Sequence, residues 1–367
     1  MARIVVVGQT PPPFHGQAIM IEEMLAHRYK GAELFHVRMG FSTRIDEVGR
    51  ASPRKALELL RVIVLIWVAR LRYRADVLYY PPSGPNLVPG LRDIVVLLAV
   101  RWAFRRSIFH FHAGGLKRLH DRLPKLGRIF FRLAYFSPTI GVRVSRYAPD
   151  DPALIRAGKS IVVWNGVPDR ANAARRRRPA GAPLRILYPG LLSPEKGCDV
   201  LLHAAALLAR KGHDFELSLM GQPISTAYGA GLAEVSRELG ISGRVRMLGH
   251  RSGDAKWQEF ADADVVSIPT RSPSETFGVA AVEGMMFALP VVASRWRGLR
   301  EIVVDGVTGF LAEPGDAVDL AARLEALLAD AAMRRTFGVR GRERYRAHFT
   351  VEQYRRGMQL VFDALAA

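Results

Sequence analysis

The chain has 367 residues, 49% of them hydrophobic, and a formal net charge of +19. Domains usually run to roughly 100–200 residues, so the length predicts two, with enough apolar content to fill both cores. A single cysteine, Cys198, excludes an intrachain disulfide and fits a reducing compartment, and the absence of CxxC pairs and histidine clusters gives no metal site.

In chain order, the first apolar run, Ile4–Val7, is too short for a signal-peptide core and predicts a buried strand. The longest apolar stretches, Val62–Ala69 and Ile94–Val100, fall short of the ~18 residues that cross a bilayer, so a cytoplasmic protein without a transmembrane helix is expected. Strand-length runs recur: RIVVVG (3–8), DVLYY (76–80), RSIFHFH (106–112), TIGVRVS (139–145) and SIVVWNG (160–166). A second series follows: RILYPG (185–190), FELSLMG (215–221), VRMLG (245–249), DVVSIPT (264–270) and LPVVAS (289–294). Each ends in or beside Gly, Pro or Ser and is followed by helix-compatible sequence, the βαβ pattern of parallel sheets. Two such series predict an α/β chain of two Rossmann-like domains, 1–170 and 184–350, joined by a charged linker at 171–183. The apolar spacing of Tyr354, Met358, Val361, Phe362 and Leu365 predicts a terminal helix, 351–367, completing the first domain.

The charge is unevenly spread. Up to Arg178 there are 31 Lys and Arg against 12 Asp and Glu, whereas the remainder holds 22 of each. All the excess lies in the first half, which points to a polyanionic partner, either nucleic acid or the anionic inner leaflet of a membrane.

The stretch SETFGVAAVEGM (274–285) sets Glu275 before and Glu283 within a predicted helix, with their backbones at most ~12 Å apart. That separation suits the ribose and the sugar of a nucleotide-diphosphate sugar. Between them, the helix start at Phe277 and Gly278 offers backbone amides to phosphate, and carboxylates accept hydrogen bonds from vicinal diols.

PTRSPSETFGVAAVEGMMFALPVVAS (269–294) followed by GLREIVVDGVTGFLAEPGD (298–316) resembles the donor-binding segment of retaining GT-B glycosyltransferases of family 4. YPGLLSPEKGCDVLLHAAALL (188–208), VVWNGVP (162–168) and PPPFHGQAIMIEEML (11–25) follow the same family's order. The resemblance implies two Rossmann-like domains facing a central cleft, with the acceptor bound by the first and the nucleotide-sugar by the second. It implies that Glu283 holds the ribose, Glu275 the transferred sugar, Lys196 the diphosphate, and Phe277 and Gly278 backbone contacts. Gly190 stands at the glycine ending the strand before the lysine loop. The family's arginine, which follows that glycine, is here Leu191, so Arg295, Arg297 or Lys196 with backbone amides would take its place. Gly16 matches the second glycine of a phosphate-approaching loop whose first is replaced by His15, and His112 matches a histidine facing the reaction centre. His110, two residues earlier, reads as core. Arg251 is a candidate base contact. Also implied are a front-face retaining route, in which the leaving phosphate deprotonates the acceptor hydroxyl, and no obligatory metal or other cofactor.

Residues 116–133 place Leu116, Leu119, Leu123, Leu126, Phe130 and Leu133 on one predicted stripe among cations, kinked at Pro124, and 54–74 has an apolar middle with cationic ends. Together these give a hexosyltransferase attached peripherally to the inner face of the plasma membrane. It would transfer from a UDP- or GDP-sugar to a lipid-linked saccharide in bacterial surface polysaccharide assembly. The alternatives are a non-catalytic GT-B sugar-binding protein and a nucleic-acid-binding protein; no aromatic stacking platform among the basic residues favours the latter, so no nucleic-acid partner is expected.

Overall fold

A computed structural model describes residues 1–12, 16–40, 53–179 and 181–365, apart from the side chains of 53–56. The chain divides into two compact units: Met1–Gly166 with Val351–Ala367, and Val167–Thr350.

The first unit is built on six parallel strands: β1 (Ala2–Gly8), β2 (Ala32–Arg38), β3 (Val77–Tyr80), β4 (Arg106–Phe111), β5 (Ile140–Arg143) and β6 (Lys159–Val162). They lie in the order β2-β1-β3-β4-β5-β6. Successive side chains of a strand point to opposite faces, and here both faces are apolar, so both must be covered. Ile4, Val6, Tyr79 and Ile108 pack against Met20, Ile21 and Met24 and against Tyr354, Met358 and Phe362 of the helix Val351–Asp363. Val5, Val7, Leu78 and Phe109 pack on the other side against helices Pro53–Arg72, Leu87–Val100 and Lys125–Tyr135.

The second unit repeats the plan with β7 (Leu184–Pro189), β8 (Phe215–Met220), β9 (Val245–Gly249), β10 (Val265–Ile268), β11 (Val291–Ser294) and β12 (Gly309–Ala312). Their order, β9-β8-β7-β10-β11-β12, reverses direction between β7 and β10. The helices that follow those two strands cover opposite faces of the sheet and leave a crevice at the strands' carboxyl ends, where α/β sheets bind ligands.

β2 and β12 lie outside the two predicted series. Both are edge strands, as β6 and β9 are; β2 lacks a continuous apolar run because exposed Glu33, His36 and Arg38 interrupt it, whereas β12 carries a short one, Phe310–Ala312. The stretch predicted as a linker belongs to the second unit. Arg176 pairs with Asp264 at 2.9 Å and the Arg177 amide donates to Asp262 at 2.7 Å, which ties the stretch to that unit.

The predicted stripe over 116–133 is also corrected. Proline cannot continue a helix past its own position without losing a backbone bond, and the segment forms two helices, Leu116–Arg122 and Lys125–Tyr135. Leu116, Leu119 and Leu123 are buried in the core, whereas Leu126, Phe130 and Leu133 face solvent with Ile129.

Candidate functional site

The reversal between β7 and β10 brings two loops together. The loop after β7 makes a 3₁₀ turn, Pro194–Lys196, that ends on Gly197 with φ of +75°. A Cβ at Gly197 would lie 2.1 Å from the Pro269 carbonyl oxygen, so glycine alone permits this approach to the loop after β10. The contact is fastened by polar bonds. The Arg271 amide donates to the Glu195 carbonyl at 2.8 Å, and the Ser272 hydroxyl donates to the Glu195 carboxylate at 3.3 Å and shares a 2.9 Å hydrogen bond with Ser274.

This fastening puts Lys196 against Glu275. The Lys196 ammonium donates to the Glu275 carboxylate at 2.7 Å, with the two side chains 27% and 14% exposed. An ammonium and a carboxylate that are half-screened and held by different loops form a polar pair that an incoming anion or a diol can exchange.

Past Glu275 the chain turns into the helix Val279–Met286. Gly278, at φ +108°, sits at its start with no side-chain cap, and a Cβ there would meet Leu299 Cδ2 at 2.5 Å. First-turn amides without a side-chain cap, with the positive end of the helix dipole, suit phosphate oxygens. The Phe277 ring is buried edge-on against Phe349, so this residue offers only its backbone. The loop is backed by Trp296, whose indole nitrogen donates to the Ser272 carbonyl at 2.8 Å.

Glu283 is the fifth residue of that helix, about one turn in, and it is buried. Its carboxylate accepts from Lys256 of the helix Gly253–Ala261 at 2.5 Å. Sequence reasoning missed Lys256. Its ammonium rests 4.6 Å from the Trp257 ring centroid, an arrangement that steadies a partly desolvated cation. The signal was available as a lysine beside an aromatic on the helix preceding β10, but nothing in the sequence joins it to a glutamate 27 residues on.

Gly190 closes β7, its amide bonded to the Met220 carbonyl at 2.9 Å, and a Cβ on Gly221 would lie 1.7 Å from the Gly190 oxygen. Leu191, where the resemblance expects arginine, is 46% exposed. Arg295 does not stand free to replace it. Asp305 and Glu313 hold its guanidinium at 2.8 and 3.1 Å. Arg297 lies over the Trp296 ring at 5.4 Å. Arg251 is exposed in the loop after β9.

In the first unit, Gly16 opens the helix Gly16–Leu25 that follows β1, and His15 lies outside the described residues. His112 follows β4 and is buried, its ring tilted on that of His110 at 3.9 Å. His110 is wholly buried and shares a 2.6 Å hydrogen bond through Nδ1 with the Tyr79 hydroxyl. Burial, reinforced by the neighbouring His112, pushes the His110 pKa well below its ordinary value. No group of His, Cys, Asp and Glu that could hold a metal ion occurs among the described residues.

Residues 169–344, which include both ion pairs and the uncapped helix start, match the family "Glycosyl transferases group 1". They form a group 1 glycosyltransferase domain. The D-inositol 3-phosphate glycosyltransferase of Corynebacterium diphtheriae is 35% identical over 208 residues, 55% of this chain and 48% of the relative. An uncharacterized glycosyltransferase of Methanocaldococcus jannaschii is 29% identical over 243 residues, 65% of this chain and 64% of that one. The chain spans about half the length of the curated relatives it matches. Among solved structures, the Anabaena protein HepE in complex with UDP superposes with a TM-score of 0.72, at 20% identity, over 99% of this chain and 100% of that one. At such identity the likeness is one of fold, and the fold is that of the GT-B glycosyltransferases. Within the group 1 domain, the two glutamates flank the helix start, each with its own lysine.

Proposed function

We propose that the chain is a retaining hexosyltransferase using a UDP- or GDP-sugar. The reading rests on one observation: at the reversal point of the second sheet, Lys196 from one loop and Glu275 from the other are held 2.7 Å apart beside the uncapped start of the helix Val279–Met286. A donor diphosphate would draw the Lys196 ammonium to itself, and the released Glu275 carboxylate would accept hydroxyls of the sugar. Glu283 would exchange Lys256 for the ribose diol. Groups fixed before the reaction stabilise developing charge without reorganisation: Lys196 and the amides at Gly278 meet the negative charge on the departing phosphate, and Glu275 offsets positive character at the anomeric carbon. Phosphate charge is thus met by protein groups, and the reading calls on no metal ion.

Gly16 is assigned to the phosphate side and His112 to the reaction centre from the first unit, and Arg251 to the base. The acceptor is proposed to be a lipid-linked saccharide of bacterial surface polysaccharide assembly, presented at the cytoplasmic side of a membrane. The basic first half supports that partner.

The test is release of nucleoside diphosphate from UDP- and GDP-sugars in the presence of lipid-linked acceptors. Lys196→Ala and Glu275→Ala should each abolish it while leaving the fold intact, and near-wild-type turnover in either variant overturns the assignment. Leu191 in place of arginine favours a second reading, a sugar-binding protein without turnover; saturable donor binding by the wild type with no diphosphate release selects it.

A further inference from the structure

One face of the first unit is apolar where it should be polar. Helices Pro53–Arg72, Leu87–Val100 and Lys125–Tyr135 lie side by side on the same side of the sheet, their inner residues in one core. The first buries Val62, Ile66 and Ala69 yet exposes Leu57, Leu60, Val64, Val68 and Leu71, at spacings of three and four that form a continuous outer stripe. The second exposes Leu87, Val88, Leu91 and Val95, and Trp102 beyond its end is 72% exposed. The third exposes Leu126, Ile129, Phe130 and Leu133. A surface helix should carry its polar residues outward, and contiguous apolar surface over three neighbouring helices exceeds what a soluble monomer normally shows.

We infer that this three-helix face is an insertion surface that lies in the headgroup region of an anionic phospholipid bilayer. Charge selects the occupant. Exposed cations border the apolar residues: Arg72 and Arg74 at the end of the first helix, Arg105 beyond Trp102, and Arg122, Lys125 and Arg132 around the third. The carboxylates nearby are already engaged: Glu58 pairs with Arg61 at 2.9 Å, Asp93 is fully buried, Asp121 beside Arg122 pairs with Lys117 at 2.9 Å, and Asp76 pairs with Arg106. A second copy docked here would set these cationic borders against each other, whereas anionic lipid neutralises them. Trp102, apolar in body with a polar nitrogen, belongs at the boundary of water and hydrocarbon. No helix among the described residues is long and apolar enough to cross a membrane, so the helices lie in the interface plane with their outer faces about 5–10 Å deep. The inference deepens the membrane part of the proposed function by naming the inserting face.

The experiment is flotation of the full chain with phosphatidylglycerol-containing and pure phosphatidylcholine vesicles, at low and high salt, beside the triple variant Val64→Gln, Val68→Gln, Leu133→Gln. All three positions are solvent-facing, so the melting curve should be unchanged. The wild type should float with anionic vesicles and be retained in part at high salt, and the variant should lose at least tenfold in partitioning. Brominated lipid should quench tryptophan emission in the wild type but markedly less in Trp102→Phe. Equal flotation of the variant, complete release by salt, or a dimer in sedimentation that the triple variant dissociates would overturn the inference. No sugar donor or acceptor is involved. Flotation without diphosphate release would therefore sink only the transferase reading, and release without flotation only this one.

Discussion

Lys256→Met separates the two roles available to Glu283. In the free protein the carboxylate is 9% exposed and its partner 26%, at 2.5 Å. Breaking a fully buried pair costs about 3–5 kcal/mol, and an exposed one contributes at most about 1 kcal/mol. With the lysine partly in water, the screened value lies between these limits, about 2 kcal/mol. For a unit the size of Val167–Thr350, that lowers Tm by about 4–8 °C. Methionine preserves the aliphatic packing on Trp257, so the loss reports the uncompensated carboxylate. If Glu283 binds ribose, UDP supplies the missing hydrogen-bond donors and need not displace the ammonium. The Tm rise on saturation with UDP should then be larger in the variant than in the wild type, by the linkage between ligand binding and unfolding. Differential scanning fluorimetry with UDP, GDP and ADP measures both quantities. An unchanged Tm in the free variant would refute the pair, and a smaller nucleotide-induced rise than in the wild type would refute the ribose role of Glu283.

Other consequences can be checked separately. Gly197→Ala puts a Cβ 2.1 Å from the Pro269 oxygen at a φ of +75° and should cost about 2 kcal/mol or more in urea unfolding while displacing Lys196 and lowering kcat. Leu191→Arg, at a position 46% exposed, should leave stability within about 0.5 kcal/mol yet tighten UDP binding roughly tenfold by calorimetry; unchanged affinity would show that position 191 does not face the phosphates. Because burial depresses the His110 pKa, the unfolded chain takes up a proton there that the folded chain resists. That contribution to stability is full above about pH 6.5 and declines as pH falls below it, so the loss of stability between pH 7 and pH 5.5 should be shallower in His110→Asn than in the wild type.

The second unit was the more legible half. RILYPG, FELSLMG, DVVSIPT and LPVVAS are apolar on both sides because they are central strands, VRMLG forms a partly exposed edge strand, and Glu275, Gly278 and Glu283 lie within a dozen residues, where local geometry fixes spacing. Of the two strands outside the series, β2 escaped because exposed Glu33, His36 and Arg38 interrupt its apolar run; β12, GFLA, is largely buried, so exposure does not explain its omission. The 116–133 stripe failed for the opposite reason. Helical spacing alone does not say which side of an element is covered, and the break at Pro124 rotated two halves of one apparent face into different surroundings.

By itself the sequence determined the parallel α/β alternation, the two-unit division and the glutamates bracketing a helix start, because these depend on period, turn residues and short separations along the chain. Only the tertiary structure decided which charges meet. Strand order carries Lys196 to Glu275 across 79 residues and Lys256 to Glu283 across 27, and it lays three helices together so that their outward apolar stripes become one surface. Pairing at such distances depends on how sheets are ordered and covered, and that is a property of the packed chain as a whole.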